Sequence, residues 1–241
     1  MSMLLLAAVL SAAPAVELTA EAPPIPSTQL FFSSVPQLGL LGVDAQVGLA
    51  PRFEVDLGGW NAFKTDQGAF LRGGYLGGRF TVLHTDALDI RAGLRVFGAQ
   101  PTLDASAVAG VSGLVESRIK VASFFSIHPD FDLTWLGSLT SARFTNEFAF
   151  TFGEWKLGAS AGVQLWVIDS VAQAAPAVGL SLGWRHDFGK AALELGGQLG
   201  LTRDPSYLTQ VAVLRAPRDE MGVWAGVRAG VVFSEFNARS R

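Results

Sequence analysis

The chain has 241 residues, no cysteine, a formal net charge of −3, and 16% charged against 49% apolar residues, with 27 glycines. That length suits one domain, and a charged fraction well below the roughly 25% of an ordinary soluble domain points to a surface facing something drier than water. Without cysteine there is no disulfide framework, thiolate metal site or lipid-modified cysteine. Lys and Arg are scattered singly, which leaves no basic face for nucleic acid.

From the N-terminus, Leu4 to Leu10 form a compact apolar core, followed by small residues ending in Ala13-Pro14-Ala15, an A-x-A-like cleavage site. Residues 1–15 are therefore expected to be a signal peptide, with Val16 the first mature residue. No Lys or Arg precedes the apolar core. Residues 16–37, with Ala22-Pro23-Pro24-Ile25-Pro26, read as a Pro-rich periplasmic segment. Beyond the first dozen residues no apolar run reaches the ~18 residues that a membrane-spanning helix needs.

From about residue 38 the hydropathy has a period of two, and the charges keep to one parity, as strands require. Leu41, Val43, Ala45 and Val47 alternate with Gly42, Asp44 and Gln46; after an Ala50-Pro51 turn, Phe53, Val55 and Leu57 alternate with Glu54 and Asp56. The clearest segment sets Leu88, Ile90, Ala92, Leu94 and Val96 against Asp89, Arg91, Gly93 and Arg95. A Gly189-Lys190 turn joins the best hairpin. Ten strands are expected, at 38–49, 52–63, 69–83, 87–98, 114–127, 143–153, 155–168, 176–188, 191–203 and 221–235. Stretches 104–113, 131–140 and 207–214 suit a short strand or a structured loop. In 69–83 the apolar set changes parity near Gly77-Gly78, a β-bulge or kink that leaves Arg79 hard to place.

Alternation alone also fits a soluble lipocalin-like barrel with its apolar face inward. The polar face here, built of Gly, Ser, Gln and isolated charges, suits a narrow filled interior better than a solvated exterior. Phe152, Trp155, Trp184, Phe188 and Phe233 share the apolar face near one rim, as an aromatic girdle would. A charge on a lipid face near mid-bilayer costs about 2–4 kcal/mol, which explains charges confined to one parity.

With its leader, alternating spans, short turns and a last strand carrying Gly230, Phe233 and Phe236, the chain resembles the bacterial outer-membrane β-barrel class, small and porin-like. The resemblance covers nearly the whole mature chain. Two departures are Glu235 and the tail 237–241 after the last Phe. It implies an all-β, closed antiparallel transmembrane barrel of about ten strands, in the range eight to twelve, over residues 38–236. It also implies residence in the outer membrane of a Gram-negative bacterium, contact with its lipid bilayer, and assembly by the barrel-assembly machinery.

The polar parity supplies the candidate site, a lumen-facing network of Asp44, Glu54, Asp56, Arg72, Asp89, Arg91, Arg95, Glu116, Arg118, Lys120, Glu147, Lys156, Arg185, Asp187, Glu194 and Arg228. His84, His128 and His186 have no zinc-like spacing, so no metal is assigned, and no cofactor or catalytic residue either. Ser126 and His128 beside Asp130 suggest an Asp-His-Ser arrangement, but Pro129 is expected to break the strand there, leaving an ordinary polar loop. The Gly73-Gly74 and Gly77-Gly78 pairs lack the Lys-Ser/Thr of a phosphate loop and read as strand glycines.

In a narrow bore such side chains meet and plug it. The leading expectation is thus a non-enzymatic structural or docking barrel of a secretion, adhesion or motility assembly, reaching envelope partners through extracellular loops at 129–142, 169–175 and 204–220. The alternatives are a narrow porin-like channel whose charge rings set selectivity, a rim enzyme, and a soluble lipocalin-like periplasmic binding barrel.

Overall fold

A computed structural model of the chain describes residues 28–35, 40–62, 71–100, 106–136, 139–168, 171–202 and 222–233. Twelve strands fill them: β1 (Thr28–Val35), β2 (Leu40–Ala50), β3 (Phe53–Ala62), β4 (Leu71–His84), β5 (Leu88–Gln100), β6 (Val108–Ala122), β7 (Phe125–Leu136), β8 (Leu139–Phe152), β9 (Trp155–Ile168), β10 (Val171–Asp187), β11 (Ala191–Thr202) and β12 (Gly222–Phe233). Each runs antiparallel to the next, and β1 closes the barrel by pairing with β12 as well as β2. Closure leaves no unpaired sheet edge, the condition for crossing lipid with strands.

The core is inverted relative to a soluble barrel. Leu94 is 64% exposed on the outside, whereas Asp56 inside is 2% exposed. Phe80, Val121, Phe148, Leu157, Leu180 and Val227 join the exposed apolar surface, while Glu54, Ser112, Thr134 and Gln164 are buried. An apolar wall of this extent is stable only against an apolar medium. The lipocalin-like alternative, which needs the opposite orientation, is thereby set aside.

Five connections at one end are tight: 51–52, 85–87, 123–124, 153–154 and 188–190. Gly153 (φ 58°) and Gly189 (φ 84°) occupy the left-handed region that two of these turns demand. The longest connecting segments, 63–70 and 203–221, belong to the opposite end. In barrels of this kind the short turns are periplasmic and the long loops extracellular.

Two strands go beyond the ten expected. The stretch 114–127 is not one span: the chain turns at Ser123 and Phe124, so β6 and β7 share it. Continuous apolar parity across a two-residue turn had hidden the break. Within 16–37, Thr28–Val35 forms β1, where Gln29, Phe31 and Ser33 alternate with Leu30 and Phe32.

The loop expected at 129–142 is mostly strand. Pro129 does not break β7; it pairs with Asn146 of β8. Toward β6, bridge partners lapse between Glu116↔Asp130 and Ile119↔Ile127, where Pro129 has no N–H to offer. Of 169–175 only two residues precede β10. Segment 204–220, the leader 1–15 and the tail 237–241 lie outside the described residues. The irregularity expected near Gly77-Gly78 sits later, between Thr81 and Leu83, so Arg79 keeps the inward parity of Tyr75 and Gly77.

Candidate functional site

The register places the expected network residues on the inward face with one exception. Arg72 shares its parity with exposed Leu76 and Phe80 and points outward. Arg79, Asp130, Asp132 and Arg143 also face inward and were not in the expected set: Arg79 was obscured by the parity change and Asp130 and Asp132 by Pro129, while Arg143 opens the expected strand 143–153.

On the β2–β6 side the charges lock together. The Arg79 guanidinium lies 2.9 Å from Glu116, 3.3 Å from Asp56 and 3.5 Å from Glu54. Arg95 pairs with Asp56, Tyr75 donates to Asp44, and Gln46 donates to Glu54. Arg91 reaches Asp89 at 3.0 Å and Glu54 at 3.6 Å. Gly77 makes room for this packing. It is the cross-strand neighbour of both Asp56 and Arg95, and a Cβ there would stand 2.5 Å from each side chain. This glycine serves clearance inside the barrel rather than curvature of the wall.

A second group spans β7–β10. Glu147 accepts from Lys156 at 2.9 Å and from Ser181 at 2.8 Å. Gly158 leaves the space between them, since a Cβ there would meet Ser181 and Glu147 within 2.4 Å. Ser126 Oγ and His128 Nε2 are 2.8 Å apart. The third partner is not Asp130: His128 Nδ1 lies 3.7 Å from Glu147, beyond a hydrogen bond. Glu147 is already engaged, so this serine and histidine extend a polar network. Near the short-turn rim Arg185 bridges Glu194 at 2.9 Å and Asp187 at 3.1 Å.

The inward faces of β9–β12 are different. Gly179, Ser181 and Gly183 on β10, Gly196 and Gln198 on β11 and Gly226 on β12 are mostly small. Two adjoining cavities of about 120 and 190 Å³ touch this wall and share Glu147, Ser181 and Gln198. The first reaches across the lumen to Arg95, Glu116, Asp130, Asp132 and Arg143; the second meets Glu194, Lys156 and Arg228. By contrast the pocket inside the Asp44–Arg79–Arg95 cluster holds about 80 Å³. Arg228 stacks over the Phe31 ring at 3.5 Å, which holds its head beside the larger space. The lumen is therefore packed around β2–β5 and open, off-centre, from β6 across to the β9–β12 wall. Among the described residues no group of three or more His, Asp or Glu is arranged to hold a metal ion.

The charges nearly balance. The inward residues named carry nine Lys or Arg and ten Asp or Glu among the described residues. At the short-turn rim Phe152, Trp155, Trp184, Phe188 and Phe233 share the outward face, with Phe152 and Trp155 paired across the β8–β9 turn. Trp184 and Glu154 are hydrogen-bonded at 3.0 Å there, and Trp184 stacks on His186.

No family model and no curated protein matches the sequence. Solved structures do match. The NanC porin aligns with a TM-score of 0.57 at 9% identity, covering 86% of this chain and 98% of its own. The KdgM porin, seen in complex with disordered oligogalacturonate, aligns at 0.55 and 8% identity over 86% and 98%. The fold is that of the porin-like outer-membrane barrels. The β domain of the Bordetella autotransporter BrkA aligns at 0.51 and 13% identity over 86% and 97%. One barrel architecture thus serves more than one task, and the task must be argued from the lumen.

Proposed function

We propose that the chain is a non-enzymatic, porin-like channel of the Gram-negative outer membrane, carrying small polar solutes along the glycine-lined β9–β12 wall. The observation that carries this reading is the pair of adjoining cavities beside that wall, set against the ion-paired packing opposite. The docking role expected from sequence assumed ten strands and a plugged bore. Twelve strands enclose a wider lumen, and the porin structures of the same fold favour conduction. In this reading residues 1–15 are removed on export, the barrel-assembly machinery inserts the chain, and any envelope partner would meet its extracellular loops.

The mixed lumen sets the expected selectivity. Oligogalacturonate, seen with the KdgM porin, is a polyanion; nearly equal numbers of cations and anions here offer it no special preference. Small neutral or zwitterionic solutes fit better. The test is ion conductance of the purified chain in planar bilayers under a salt gradient. Steady openings with a reversal potential near zero support the proposal, whereas a folded but silent barrel would return the reading to docking.

A further inference from the structure

Arg72 is the one Lys, Arg, Asp or Glu on the outward face of a strand among the described residues. A charge there would be costly at mid-bilayer and nearly free at the headgroup level, and Arg72 lies in the second position of β4, at the long-loop end. It belongs to a polar row across three strands: Asn61 pairs with Arg72, and Arg72 with Gln100. The Arg72 Nε donates to Gln100 Oε1 at 2.7 Å, which fixes the plane of the guanidinium.

One step further into the membrane the same three strands present Gly59, Gly74 and Gly98, again direct neighbours. Gly59 and Gly98, without side chains, line a trench in the outer wall of about 610 Å³, bordered by Phe32, Leu41 and Val43 and reaching Asn61, Arg72 and Gln100. Below it Leu57, Leu76 and Val96 resume the apolar wall. Strands of such barrels tilt by about 35–45°, so a row across them slopes into the bilayer. An apolar trench thus descends from a fixed cation, flanked by two amide side chains.

We infer that this face binds an outer-leaflet lipid carrying a phosphate, with the phosphate on Arg72, Asn61 and Gln100 and an acyl chain laid over the three glycines. The cation supplies charge-assisted hydrogen bonds to the phosphate. The trench supplies close contact with a chain that would otherwise pack against projecting side chains. The inference does not depend on whether the lumen conducts.

Delipidated full-length chain in detergent, titrated with phosphatidic acid and read by native mass spectrometry, tests it. Heat-modifiable gel mobility checks that each variant is folded. The expected result is one tightly held phosphatidic acid, weakened about tenfold by either Arg72→Ala or Gly98→Leu. Diacylglycerol, which has no phosphate, should bind weakly, and inorganic phosphate should not compete. A Cβ at Gly98 meets nothing closer than a backbone oxygen at 3.9 Å, so Gly98→Leu fills the trench without disturbing the sheet; Gly59→Leu repeats the test should it fail to assemble. Retention unchanged by either substitution would overturn the inference. So would a loss confined to Arg72→Ala with displacement by inorganic phosphate, which marks a site for free anions only.

Discussion

Removal of Arg79 gives the sharpest test of how the filled side of the lumen is held. Its guanidinium serves Glu54, Asp56 and Glu116, and the first two carboxylates have side chains only 3% exposed. Arg79→Met keeps the stem and deletes the charge. Breaking a buried ion pair by removing one partner costs about 3–5 kcal/mol, because the other charge is left uncompensated. Here Arg91 still lies 3.6 Å from Glu54, and Arg95 still pairs with Asp56. The Glu116 side chain is 34% exposed and contributes little. The expected loss is therefore about 2–3 kcal/mol. Urea unfolding in lipid vesicles, followed by tryptophan fluorescence and heat-modifiable mobility, would measure it. The double variant Arg79→Met, Glu54→Gln should recover part of the loss, since Asp56 keeps Arg95 and Arg91 keeps Asp89. A stability change below about 0.5 kcal/mol in Arg79→Met, or no recovery in the double variant, would show that Arg79 does not hold this side together.

Further outcomes follow from the same geometry. Gly77→Val should part Asp56 from Arg95 and destabilise the barrel by about 2 kcal/mol in the same assay, whereas Gly113→Ala, whose Cβ meets only Leu94 Cδ2 at 3.7 Å, should be nearly neutral. Gly189→Ala must hold a β-carbon at φ 84° and should cost about 1 kcal/mol in equilibrium unfolding. Ser126 should stay unlabelled by a fluorophosphonate probe, because His128 lacks a hydrogen-bonded carboxylate; stoichiometric labelling abolished by His128→Ala would show an activated serine.

The wall of the barrel was legible in the sequence because period-two alternation is a direct record of which side each residue faces. Asp89, Arg91 and Arg95 opposite Leu88, Ile90 and Leu94 needed no structure to be sorted. Parity carries no mark of a tight turn, so the break at Ser123-Phe124 went unseen. A proline in a strand reads as a breaker unless its missing N–H falls on a lapse in the ladder, as at Pro129. Arg72 and Arg79 lie on one strand at odd spacing, and only the bulge after Thr81 shows that the first points to lipid and the second to the lumen. The off-centre space was the least legible feature. It depends on which strands carry glycine inward and on what crosses from the opposite wall, a relation between β4 and β11 that no local pattern records.

If solutes pass beside the β9–β12 wall, a pair of neighbouring glycines on β11 with opposite orientation will report it. Gly196 faces the lumen and Gly197 faces out; a Cβ at either meets nothing closer than 3.6 Å, so both sites accept a large side chain. In single-channel recordings Gly196→Trp should abolish or greatly reduce the conductance of the folded barrel, while Gly197→Trp should leave it at the wild-type level. Equal conductance in both variants would mean that solutes do not pass beside this wall.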